Sequence, residues 1–228
     1  MSSVARVERL GKFIEPCDER NSDGKYGVDA VRGVSIEKKL IPTKADMEGV
    51  KLAPYKLLKP EEFCVVPDTS RRSDRICLAI NDSEETYLVS SAYDCFRVAS
   101  DALLPEYLYL FLSRPEFDRY ARFNSWGSAR EVFSYADMER VKIPLPPLAV
   151  QEKAVAVWKS LKEMKEQNER LAAETMSVCM AKLEEIKHKY PKSALGPMIK
   201  PCDERNSDGK HGVDAVRGVS IEKKLIPT

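Results

Sequence analysis

From Ala149 to Lys189 the chain contains neither glycine nor proline, and its apolar residues recur in alternating steps of four and three. Val150, Ala154, Val157, Leu161, Met164, Asn168, Leu171, Thr175 and Val178 form one stripe. The phase then slips, and Cys179, Leu183, Ile186 and Tyr190 carry it onward. Such spacing is the seam of a coiled coil, and the slip is a stutter. A helix of about 40 residues is roughly 60 Å long at 1.5 Å per residue and cannot bury such a stripe against itself. The stripe therefore predicts a partner helix, with these seam residues, Leu183 and Ile186 included, as a dimer interface. Asn168 sits near the middle, where one polar seam residue fixes register and orientation at some cost in stability. The plainer alternative is a helix that packs on its own domain.

The preceding sequence has a different texture. Between Val4 and Pro147 short apolar runs alternate with turn signals, as in Ile76–Ile80 closed by Asn81-Asp82-Ser83, and in Tyr87–Ala92. These lengths and residue types predict strands. Pro105–Ser113 and Pro115–Phe123 predict two short helices, each with proline at a first helical position. Ser134–Arg140 predicts another helical turn, with Ser134 and Asp137 in a capping arrangement. IPLPPL, Ile143 to Leu148, is a proline-stiffened extended lead into the long helix. The expected fold class is α+β: one mixed α/β domain over residues 1–147, followed by a single long coiled-coil helix over 148–190.

Residues 191–228 form a third segment, a partial repeat of residues 6–43. Pro201–Thr228 copies Pro16–Thr43 over 28 residues and differs only where Tyr26 becomes His211. Weaker agreement extends upstream, with Leu10–Ile14 matching Leu195–Ile199. Two copies so far apart are not a solenoid. The C-terminal copy is expected to lose any competition for the slot used by Pro16–Thr43, because the N-terminal copy has the shorter loop to close.

Composition removes several classes of function. No apolar run approaches the roughly 20 residues of a membrane span, and the opening MSSVARVERLGK lacks an apolar core for export, so a cytoplasmic protein is expected. Six cysteines stand singly, without the close pairs of a zinc or redox site, and read as reduced structural thiols. The two histidines, His188 and His211, lie outside the mixed domain. No glycine-rich phosphate loop, metal spacing or nucleophile near a histidine is present. No catalytic residue, metal or cofactor is expected. The net charge of +1 does not advertise a nucleic-acid partner, although the field at a cleft depends on where charges sit rather than on their sum.

The passage NSWGSAREVFSYADMERVKIPLPPLAVQEK, Asn124 to Lys153, joins a Gly-Ser-x-Arg turn, a short helix, a strand ending in IPLPPL, a glutamine and a long helix. With YLYLFLSRPEFDRYA, Tyr107 to Ala121, before it, this order resembles the DNA specificity subunits of type I restriction–modification systems, over about Val4 to Tyr190. The resemblance implies a non-enzymatic role in reading double-stranded DNA. It also implies two target recognition domains joined by antiparallel helices, and partners in methyltransferase and restriction subunits. This chain resembles a half-length form that begins a second domain without completing it. The expectation is a homodimer through antiparallel helices, with its axis near Asn168, that reads an inverted repeat across a fixed gap.

Side chains that read bases are chiefly Arg for guanine and Asn or Gln for adenine, beside contacts that position the phosphate backbone. Arg71, Arg72 and Arg75 form the dense basic cluster of the domain, with a solvated surface loop as the duller reading. Asn124, Ser125, Ser128 and Arg130 flank Gly127, and the resemblance places that turn near the DNA-facing side; otherwise Trp126 is a core residue and Arg130 an anchor. Lys25 and Tyr26 stand at the tip of NSDGKYG in the repeated segment, most of which reads as structural. The rival functional readings are a coiled-coil adaptor or a fragment without DNA binding.

Overall fold

The computed structural model describes residues 6–69, 75–128, 130–190, 196–198, 217–219 and 225–227. The chain divides into two compact units, Met1–Gln167 and Asn168–Thr228.

In the first unit, β1 (Arg6–Arg9) pairs antiparallel with β10 (Lys142–Leu145). The central sheet has four antiparallel strands in the order β2 (Ile14–Cys17), β9 (Asp94–Val98), β6 (Phe63–Val65), β7 (Leu78–Ile80). β3 (Arg32–Val34) and β4 (Leu40–Pro42) make a hairpin, and β5 (Lys56–Leu58) pairs with β8 (Tyr87–Val89). All three residues of β6 and of β7 are buried, which is why those strands are continuous apolar runs without alternation. Phe63 and Phe96 are cross-strand partners whose rings stack at 4.9 Å, and they sit in the main core with Leu78, Leu108, Leu112 and Phe133.

The helices start where the sequence places them. α1 (Pro105–Leu112) and α2 (Pro115–Phe123) both carry proline at the first turn, where the missing N–H costs nothing. α3 (Tyr135–Arg140) opens on a complete capping box: the Ser134 side chain accepts from the Asp137 N–H, and the Asp137 carboxylate accepts from the Ser134 N–H. Two strands are shorter than the apolar runs suggest. β7 begins only at Leu78, since the Ile76 N–H is taken by the Asp118 side chain at 3.2 Å. β8 ends at Val89 because the Tyr93 N–H closes a turn onto the Ser90 carbonyl at 3.0 Å.

α4 runs from Leu148 to Lys189. Its first turns dock through a face that the heptad stripe does not include. Gln151 is fully buried; its Nε2 donates to the Ala102 and Pro146 carbonyls, both at 2.9 Å, and its Oε1 accepts the Leu104 N–H at 3.0 Å. Val155 is buried one turn on, and Trp158 meets Tyr109 edge-to-face at 5.7 Å. Lys159 pairs with Glu106 at 3.0 Å. So the helix does pack on its own domain, but it does so with residues other than the seam. Val150, Val157, Leu161, Met164, Leu171, Val178, Leu183 and Ile186 are all exposed, as are Asn168 and Thr175, while Ala154 is half-buried.

In the second unit the repeated segment contributes β11 (Arg217–Val219) and β12 (Leu225–Pro227), paired Arg217 to Pro227 and Val219 to Leu225. That register is the one in β3–β4, where Arg32 faces Pro42 and Val34 faces Leu40.

The described cysteines are all free. Burial pushes the Cys95 thiol up to about 12, and burial together with Glu62 does the same for Cys17, so both stay protonated and unreactive at neutral pH. Alkylation of the native protein at pH 7.5 should modify the exposed Cys179 and spare Cys17, Cys64, Cys77 and Cys95, as read by peptide mapping. Gln151→Ala orphans one N–H and two carbonyls and should cost about 2–4 kcal/mol in denaturant unfolding; a loss below about 0.5 kcal/mol would show that water replaces the amide.

Candidate nucleic-acid interface

Asp118 of α2 is buried and makes an ion pair with Lys38, which is itself buried and held at φ +60° between β3 and β4. The same carboxylate oxygen accepts the Ile76 N–H, and the Tyr109 hydroxyl donates to the Lys38 carbonyl at 2.8 Å. One carboxylate thus joins the β3–β4 hairpin, α2 and the chain just past the basic cluster. A buried charge is tolerated only with such a partner and such bonds.

The other flank of that cluster is tied to the end of α2. Thr69 donates to the Glu131 carbonyl through its N–H at 3.0 Å and its hydroxyl at 3.1 Å, and Arg122 of α2 reaches its Oγ1 at 3.4 Å. Asp68 bridges Val132, which also pairs with Trp126. Arg71 and Arg72 lie outside the described residues. Their flanks, Thr69 and Arg75, are fixed to two points on one helix, and the Thr69 flank adjoins the turn that carries Arg130. Nothing in the local sequence announces this tie between the Thr69 flank and the Arg130 turn.

Arg75 is exposed beside a groove lined also by Glu37, Lys38, Asp118 and Arg119. The Glu37 carboxyl is held below its usual range by its own backbone N–H and the Ser35 hydroxyl, with a smaller contribution from Arg75.

Within the turn the candidates separate. Ser128 and Arg130 are exposed. Asn124 is half-buried and its Nδ2 donates to the Tyr120 carbonyl at 2.8 Å. Ser125 is buried, its hydroxyl donating to the Ala121 carbonyl at 2.7 Å, so it terminates α2 rather than facing solvent. Gly127 sits at φ +139°, and a Cβ there would lie 2.0 Å from the Arg130 carbonyl oxygen. The close backbone approach that glycine permits is made by the turn to itself.

Two residues were missed. Trp126 is 67% exposed and so is not a core residue, and Phe123 at the end of α2 is 82% exposed. Phe123 sits beside Arg122, which pairs with Glu131. Exposed aromatics beside arginine are the side-chain types that can stack on bases. Their sequence signal was weak, because an aromatic in a short run reads first as core.

Lys25 and Tyr26 belong elsewhere. Asn21, fully buried, clasps the backbone of residue 26: its Nδ2 donates to the Tyr26 carbonyl at 2.9 Å and its Oδ1 accepts the Tyr26 N–H at 3.0 Å. Tyr26 is half-buried against the small cluster of Val31, Leu57 and Leu88, with Lys25 over its ring. Among the described residues no group of His, Cys, Asp and Glu could hold a metal ion, and no helix is long and apolar enough to cross a membrane.

Asp118→Ala strands Lys38 and the Ile76 N–H together and should cost about 3–5 kcal/mol in equilibrium unfolding. Asp118→Asn, which keeps an acceptor for Ile76, should cost less; equal losses would show that only the ion pair counts.

Residues 75–174 match the family model of the type I restriction modification DNA specificity domain. No curated protein matches the sequence. A solved structure that describes complex assembly and conformational transition of the type I R-M system aligns over 82% of this chain and 44% of its own, at 16% identity and a TM-score of 0.51. The HsdS subunit from Thermoanaerobacter tengcongensis aligns over 72% of this chain and 39% of its own, with 17% identity and a TM-score of 0.44. The type I restriction–modification S subunit from M. genitalium aligns over 84% and 47%, with 11% identity and a TM-score of 0.46. The chain spans less than half the length of each of these.

Proposed function

We propose that this chain is a non-catalytic DNA specificity module of a type I restriction–modification system. Residues 1–147 act as one target recognition domain, 148–190 as a spacer helix, and 191–228 as the opening of a second domain. Two copies pair through antiparallel α4 helices and read a gapped, inverted DNA repeat. Methyltransferase subunits assemble on the pair, with restriction subunits added for cleavage, in the cytoplasm and without a cofactor of its own.

The observation that carries this reading is the convergence of the Thr69–Arg75 flanks and the Arg130 turn on α2, inside the stretch that matches the specificity domain. Arg130 and Ser128 of the turn are exposed, as are Trp126 in the turn and Phe123 at the end of α2, residue types suited to phosphate contact and base stacking. The bare seam of α4 supports pairing, since a stripe of that length left in water is a liability for a lone chain. An adaptor that used only its helix would leave the arginine and aromatic edge without a purpose.

Arg71→Ala or Arg130→Ala should weaken binding to a bipartite site by about 1–3 kcal/mol at moderate salt. An unchanged affinity removes that residue from the interface. Sedimentation of the native chain at micromolar concentration should give a dimer, and Leu171→Glu a folded monomer. A native monomer would sink the paired-helix arrangement.

A further inference from the structure

The near-identity of the duplicated segments, one difference in 28 residues, is not explained by DNA reading. Pro16–Thr43 fills a defined slot in the first unit. Its strand β2 pairs with β9, its Asn21 N–H bonds the Tyr55 carbonyl at 3.0 Å, and its Glu19 carbonyl accepts the Leu57 N–H at 2.8 Å. Val31 and Val34 are buried in it, and Lys38 supplies the cation for buried Asp118. Every residue type in this set recurs in the C-terminal copy, with Cys202, Glu204, Asn206, Val216, Val219 and Lys223 in the matching places. The sole difference, His211 for Tyr26, falls where the hydrogen bonds are made by backbone and the side chain is only half-buried. The copy also forms the β3–β4 hairpin in the same register.

We propose that the slot of one chain accepts the Pro201–Thr228 segment of a second copy, so that the duplicated piece is an exchangeable element between paired chains. The choice of a second copy rests on the antiparallel pairing proposed above. With an axis near Asn168, Leu148 of one helix lies beside Lys189 of the other, and the partner's C-terminal segment emerges at this chain's domain. Two features hold the resident copy in place by default. Its connection to the slot is the shorter one. In addition, the register pairs Glu15 with Arg97, whereas the incoming copy has Lys200 at that position and sets like charges together. Weakening the resident copy hands the slot to the visitor, which still carries Lys223 for Asp118.

The exchange is testable by cross-strand disulfide trapping at this exposed pair. In a Cys179→Ser background, Arg97→Cys and Lys200→Cys are combined, and the full chain is oxidised with and without Lys38→Met. Lys38→Met should produce a disulfide-linked dimer on non-reducing gels with the 97–200 link confirmed by peptide mapping. Adding Lys223→Met should abolish it and lower the melting temperature below that of Lys38→Met alone. Absence of the 97–200 link in Lys38→Met, a link formed only within one chain, or equal melting losses with and without Lys223 overturns the exchange. Sedimentation separates the two readings: a native dimer without the link refutes exchange alone, and a native monomer refutes the pairing.

Discussion

The carboxylate of Asp118 decides how the first unit is put together. It lies on α2, its cation comes from the hairpin between β3 and β4, and its oxygen also takes the N–H of Ile76, so three distant pieces of chain meet on one side chain. Removing water from two opposite charges costs several kcal/mol per ion, and the pair survives only because geometry and added bonds offset it. The pair, through the bond to Ile76, fixes one flank of the basic cluster to the helix whose other end carries the exposed turn. Any DNA-facing surface built on this domain inherits its geometry from that contact.

The long helix resolves a conflict that its sequence poses. A single stripe cannot face both its own domain and a partner. α4 avoids the choice by docking through Gln151, Val155 and Trp158, while Val157 sits about 200° around the axis from Val155. The docking face is short and relies on a polar lock, in which Gln151 satisfies the N-cap N–H of α1 and two carbonyls of the connecting loops. Such a lock orients the helix strongly with little apolar area, and leaves the longer stripe bare along its length.

The elements most legible in the sequence were those with local causes. Proline at the first turns of α1 and α2, the Ser134–Asp137 box and the unbroken run of α4 each act within a few residues, and the structure has all of them. What could not be read was set by contacts between distant residues. Nothing near Ile76 announces that Asp118 will take its N–H and shorten β7. Nothing local in NSDGKYG marks Asn21, yet its buried amide braces the backbone of Tyr26. Gln151 was visible only as one letter in a pattern, and its three bonds depend on where α1 begins. At the candidate interface, composition found the arginines and the Gly127 turn; the tie between the Thr69 flank and that turn runs through Glu131, which no local signal singles out. Trp126 and Phe123 were obscured for the opposite reason, since exposure of a large aromatic is a property of the fold alone.

Charge, which first argued against a nucleic-acid partner, acquires a different meaning once it is located. Ser70–Arg75 holds three arginines against Asp74, and Asn124–Arg130 adds one arginine, so these two stretches carry a net +3 while the rest of a +1 chain sums to −2. Much of the acid elsewhere is spent on nearby cations, as with Asp18 held by Lys56 and Arg20, or Glu8 by Lys12 and Arg6. Both carboxyls are accordingly kept below their usual range by those bonds. Sequence-independent affinity for DNA scales with the number of phosphates neutralised, so a surplus of only +3 over these two stretches would give weak binding to random DNA. That weakness suits a specificity module, because discrimination is a difference between affinities and grows as the non-specific term shrinks. Under the proposed function, the remaining affinity would come from a second recognition domain or from the partner subunits, and that would be the physical reason for such a module to work as part of an assembly.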